Sequence, residues 1–119
     1  MTPPEQEQFI LTMYDDLFVK TDVDKIPDYC APNFIKENNY DVSNYDGFVE
    51  HIKDLQTKDG TPKFNIEFII NDLKKVVIRT IVDLEDKIKG APPTSLLISY
   101  WQFNDHGLVD YCKEVEYGS

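Results

Sequence analysis

The sequence predicts an α+β domain with its helices first and its sheet last. Three observations carry that expectation. Apolar residues recur at helical spacing from Phe9 to Leu55. From Phe64 onward they recur at every second position instead. The two halves do not interleave, which points to helices covering one face of a consecutive antiparallel sheet rather than to repeated strand–helix–strand units.

The first helix opens at Thr2, an N-cap candidate, with Pro3 in its first position and Glu5 as capping-box partner. Phe9, Ile10, Met13, Tyr14, Leu17 and Phe18 form its apolar stripe, with Asp15, Asp16 and Lys20 outside it. Asp22 or Asp24 caps a short second helix through Ile26 and Tyr29. Pro27 is tolerated in a first turn, and Pro32 stops that helix. Residues 34–40 read as a short extended segment. A third helix is expected from Ser43, with Asp46 as capping-box partner and a stripe of Tyr45, Phe48, Val49, Ile52 and Leu55. Gly60 and Pro62 end it.

In the first long strand, Phe64, Ile66, Phe68 and Ile70 share one face, and a turn follows at residues 71–75. In the next, Val76, Ile78, Thr80, Val82 and Leu84 alternate with Val77, Arg79, Ile81, Asp83 and Glu85. Residues 90–93 read as a loop, 95–103 as a strand, 104–107 as a turn and 108–117 as the last strand. The Val76/Ile78/Val82/Leu84 face should receive the helices. The opposite face, with Ile69, Val77 and Ile81 among charges, has the half-apolar character of a subunit interface.

The chain has 119 residues, which fits one domain over 1–119. Hydrophobic residues make up 41%, too many for a disordered chain. Asp and Glu outnumber Lys and Arg by 22 to 12, giving a net charge of −10. That balance excludes nucleic acid and anionic membrane surfaces as partners, because like charges repel. No basic leader with an apolar stretch opens the chain, and no apolar run approaches a membrane span. Cys30 and Cys112 stand alone and read as buried, reduced thiols of a cytoplasmic protein. His51 and His106 lack metal-ligand spacing, and there is no phosphate-binding glycine loop, so neither a metal nor a cofactor is expected.

Several segments together carry a family likeness. Tyr14 on the first helix precedes Asp22-Val23-Asp24, which opens the second. Phe34-Ile35-Lys36-Glu37-Asn38 comes next, then Gly47 at the third helix, and Trp101-Gln102-Phe103 leads through Asn104-Asp105-His106-Gly107 to Leu108-Val109. With this element order, the chain resembles the NTF2-like superfamily, whose best-known enzymes are ketosteroid isomerases and SnoaL-like polyketide cyclases. The resemblance implies a cone: three N-terminal helices on a curved antiparallel sheet, with a pocket at one end. It also implies a homodimer through the outer sheet face, the face flagged above.

Isomerases of this kind move a proton with a carboxylate, and stabilise the enolate with a Tyr and a carboxylic acid kept neutral by an apolar site. By resemblance, Tyr14 is the tyrosine donor; a core tyrosine is the plain alternative. The base position holds Asn38, which cannot take a proton at neutral pH, so Glu37 beside it becomes the candidate base. Glu37 enters the pocket only through a register slip or a bulge, because adjacent strand residues face opposite ways. The acidic-donor position holds Ser99, a weaker donor. Glu114 falls near the acid/base of the cyclases, on a face shared with Cys112. Periodicity argues the other way, since Val109, Tyr111 and Val115 make the more apolar face. Trp101 and Phe103 form an aromatic wall suited to a flat apolar ligand, or simply core. The expected catalytic set is thus Tyr14, Glu37 and Glu114, with Asn38, Ser99, Trp101, Phe103 and Cys112 lining a ligand site. The expected activity is binding of a small apolar molecule, with isomerase- or cyclase-type proton transfer; the alternative is a non-catalytic dimeric interaction module.

Overall fold

The computed structural model describes residues 1–39, 41–57, 63–83 and 94–118. Helix α1 (Pro3–Met13) runs into a π-helical segment (Tyr14–Val19), a 3-10 turn (Val23–Lys25) and helix α2 (Ile26–Tyr29). Then come β1 (Cys30–Asn38), β2 (Asp41–Asn44), α3 (Tyr45–Gln56), β3 (Lys63–Asp72), β4 (Lys75–Asp83), β5 (Thr94–Phe103) and β6 (Val109–Gly118). The strands make one sheet in the order β2-β1-β6-β5-β4-β3. The α+β expectation holds. One pairing departs from the expected antiparallel sheet: β1 lies parallel to β6. The whole meander separates those two strands in sequence, so no hairpin dictates their direction.

The α1 cap forms as expected. Thr2 Oγ1 accepts from the Glu5 N–H at 3.3 Å, and Glu5 Oε1 accepts from the Thr2 N–H at 2.9 Å. Ile10, Met13, Tyr14, Leu17 and Phe18 are all buried. Asp16, expected outside the stripe, is buried too, because the helix widens there. The Lys20 N–H bonds the Asp15 carbonyl, five residues back, at 2.9 Å. A π turn rotates its residues off the α stripe. The Tyr29 hydroxyl donates to Asp16 Oδ2, and Lys25 Nζ lies 3.6 Å from the other oxygen. Helix α3 starts one residue later than expected. Residues 41–44 form the edge strand β2, and Asn44, not Ser43, is the N-cap, accepting from the Gly47 N–H at 2.9 Å. A side chain at Gly47 would sit 3.2 Å from the Ser43 Cβ, which explains the glycine.

Val76, Ile78, Thr80 and Val82 of β4 are buried, as are Leu97, Ser99, Trp101 and Phe103 of β5. This inner face receives the helices. Two bulges adjust the period-2 pattern. In β3 the register shifts between Ile66 and Phe68. Phe64 and Ile66 stay inside with Ile69, whereas Phe68 and Ile70 are exposed. Ile69 therefore belongs to the core, not to the outer face as expected. In β6 a shift between Phe103's partner Val109 and Gln102's partner Tyr111 leaves Asp110 unpaired. Val109 and Cys112 are then both fully buried. The expected Tyr40, Gly60, Pro62, Leu84 and Glu85 positions, and the loop at 90–93, lie outside the described residues.

Candidate active site

The inner face of the sheet carries a chain of polar groups across four elements. The Trp101 indole N–H of β5 donates to the Tyr14 hydroxyl at 3.1 Å. An indole only donates, so the Tyr14 oxygen is the acceptor and its own proton remains to be given. Burial pushes the phenol pKa far up; the Glu114 and Cys112 charges add to the rise, and Ser99 and Trp101 oppose it. Tyr14 is therefore a proton donor at any neutral pH. The Ser99 hydroxyl donates to Glu114 Oε2 at 3.0 Å. Glu114 Oε1 lies 3.6 Å from Lys36 Nζ, and both side chains are at least nine-tenths buried.

The β6 bulge decides the placement of Glu114. It brings Val109 inward along with Cys112 and Glu114, and turns Tyr111 outward. The two contradictory periodicities are thus each right for one side of Asp110.

β1 places its residues by simple alternation. Phe34 and Lys36 are buried, and Lys36 pairs in register with Cys112. Asn38 follows on the same face, half-buried and in register with Glu114. Glu37 is a correction. It lies in register with Lys113, an exposed residue, and bonds the Tyr111 hydroxyl on the outer face. No slip or bulge turns it inward, because the β1–β6 pairing is regular from Ile35 to Asn38. The structure brings Tyr14, Ser99, Trp101, Cys112 and Glu114 together, with Asn38 beside them. Phe103 is buried but packs elsewhere, edge-on to Phe9 at 5.1 Å.

Lys36 went unrecognised as a site residue. Its signal was available: it is two residues from both Phe34 and Asn38, and so shares their face. Its ammonium lies 5.3 Å from the Phe18 ring centre and 5.6 Å from that of Phe48, within cation–π range. Burial is complete at Trp101 and Ser99 and relaxes toward Leu97, Glu114 and the exposed Glu116. Among the described residues, the accessible end of the inner face is thus the Glu114 end. Two concavities lie on the surface. One, of about 570 Å³, involves Gln6, Leu73, Lys74 and Asp105; the other involves Pro27, Tyr45 and Leu108. Neither is lined by Tyr14, Ser99 or Glu114.

By sequence, no protein-family model and no curated protein matches the chain. Solved structures do match. A candidate polyketide cyclase from Acidithiobacillus ferrooxidans superposes with a TM-score of 0.75 at 14% identity, over 98% of this chain and 91% of that one. A candidate isomerase of the SnoaL-like family from Agrobacterium tumefaciens gives 0.75 at 13%, over 96% and 99%. An NTF2-like protein from Cytophaga hutchinsonii gives 0.67 at 10%, over 96% and 89%. The chain has the NTF2-like fold. In NTF2-like terms, the polar chain occupies the concave face, where the sheet and helices enclose the interior.

Proposed function

We propose that this chain is a small-molecule pocket protein that transfers protons on an apolar carbonyl compound, as an isomerase or cyclase. The observation that carries this reading is the inward Glu114. It accepts a hydrogen bond from Ser99, pairs with Lys36, and sits in one polar chain with the Tyr14 phenol. A carboxylate base and a phenol donor on one apolar wall are the parts that enolisation needs. The resemblance to structures named as cyclases and isomerases supports the same reading. Asn38 at the isomerase base position counts against a true ketosteroid isomerase.

A second reading, a dimeric interaction module, has support of its own. Phe68, Ile70 and Ile98 are exposed on the outer sheet face, with Val77 between them half-buried. We place a second copy of the chain on that face; the two readings are compatible. Two free, buried cysteines suit a reducing compartment such as the cytoplasm.

The test combines enone isomerisation with Trp101 fluorescence. Trp101 is the single tryptophan and bonds Tyr14 directly, so its emission reports on the site. Wild type should isomerise an apolar enone, and E114Q should lose roughly 100-fold or more in kcat, the scale of general acid–base catalysis. No turnover, together with fluorescence responses identical in wild type and E114Q, sinks the catalytic reading. No fluorescence response to any apolar compound sinks the pocket as well.

A further inference from the structure

We propose that Lys36 is a catalytic residue of this site: its ammonium receives the enolate oxygen as Glu114 takes the substrate proton. The inference rests on the proton-transfer reading above and assigns it a charge requirement.

The geometry around Lys36 sets the argument. Its side chain is 8% exposed, and its ion-pair partner among the described residues is Glu114. The 3.6 Å separation from Oε1 exceeds normal hydrogen-bond length. An ammonium has three donors and no acceptor. The Phe18 and Phe48 rings hold it through their faces, which leaves N–H groups for a further acceptor. Ser99 meanwhile occupies Oε2 of Glu114, fixing the carboxylate.

Consider the proton transfer as a movement of charge. A C–H bond beside the substrate carbonyl breaks, and its proton bonds to a Glu114 oxygen. The electron pair passes to the carbonyl oxygen, giving an enolate. Glu114 becomes neutral as the substrate becomes anionic. Without a fixed cation, the buried anion would be unpaired both before and after the step, which is strongly unfavourable. With Lys36 in place, the site holds one positive and one negative charge before and after the step. The anion only moves from Glu114 to the ligand. Returning the proton from Glu114 to a different carbon completes an isomerisation and restores the original pair. The site should therefore select enolisable compounds, and bind stable anions that mimic the enolate.

The probes are 4-nitrophenolate, an enolate mimic, and 4-nitroanisole, its neutral analogue, with binding read by Trp101 fluorescence and by the absorbance of the bound dye. Wild type should prefer the phenolate. K36M should lose roughly tenfold or more of that preference, the scale of a hydrogen bond to a charged group, with anisole affinity little changed. K36R should restore it in part. E114Q, which frees Lys36 of its counter-ion, should bind phenolate more tightly than wild type does. Equal weakening of both probes in K36M reveals a merely structural lysine and overturns the proposal. So does unchanged phenolate preference in K36M, or weaker phenolate binding in E114Q, which also serves if K36M does not fold. Failure of wild type to bind either probe refutes the pocket reading instead, and this proposal with it.

Discussion

Trp101 and Tyr14, 87 residues apart, meet in a single hydrogen bond of 3.1 Å inside the core. The bond joins the end of the first helix to the fifth strand, and it holds the phenol against the face that carries Ser99 and Glu114. Y14F removes the acceptor and leaves a buried indole N–H unpaired. The expected loss is about 1–3 kcal/mol of stability. Denaturant unfolding of Y14F against wild type measures it, and Trp101 emission in the native state should shift as its partner disappears.

Asp16 gives the fold a defined acid sensitivity. The Tyr29 hydrogen bond, and the Lys25 and Lys20 charges, hold its carboxyl below the ordinary value of 3.8. A depressed folded pKa means the stabilisation is complete above about pH 4 and is lost as pH falls through the folded value. Wild type should therefore lose stability below pH 4 more steeply than D16N. Parallel urea midpoints at pH 6 and pH 3 test this; equal slopes for the two proteins would contradict it.

The β3–β4 hairpin carries a correctable strain. Leu73 has φ +55° and is 88% exposed. A left-handed conformation costs a branched residue about 1–2 kcal/mol, which glycine avoids. The Gln6 side-chain N–H donates to the Leu73 carbonyl at 2.7 Å and secures the turn. L73G should raise stability by about 1 kcal/mol, since no buried contact is lost. Thermal melting of the single variant is sufficient to see it.

Both thiols should be inert in the folded protein. Burial pushes Cys30 up to about 12, and Cys112 well above its ordinary value. Only the thiolate is nucleophilic. A maleimide at neutral pH should label neither cysteine until denaturant is added; rapid native labelling would show that the site opens.

The outer sheet face predicts an association. If a second copy covers it, the solution mass should be about twice 13.8 kDa. I98D should halve that mass while leaving the helical signal intact. A wild-type mass matching one chain would remove the dimer from consideration.

Much of the architecture was legible because local signals agreed. The Thr2–Glu5 cap, the stripe from Ile10 to Phe18 and the inward face of β4 follow from periods of 3.6 and 2. The errors arise where one residue breaks a period. The π turn hid Asp16, a bulge reversed Ile69 and Phe68, and another made Val109 and Glu114 look incompatible. Lys36 was missed for a different reason. A lysine on a strand reads as a surface residue, because lysine is almost never fully buried without a partner. Its partner lies 78 positions away, and pairing β1 parallel to β6 is what brings them together.

Asp110 has one further consequence. It contributes no chemistry to the interior, yet it sets the phase of everything after it in the chain. Absorbing it into the ladder would give a strand of unchanged composition whose alternation ran through without a break. Once Val109 was anchored in the core, Cys112 and Glu114 would point to solvent, and Tyr111 and Val115 would replace them inside. The chain would lose a buried carboxylate and gain an apolar wall. The presence or absence of that one bulge thus separates an interior that holds a carboxylate from one that does not.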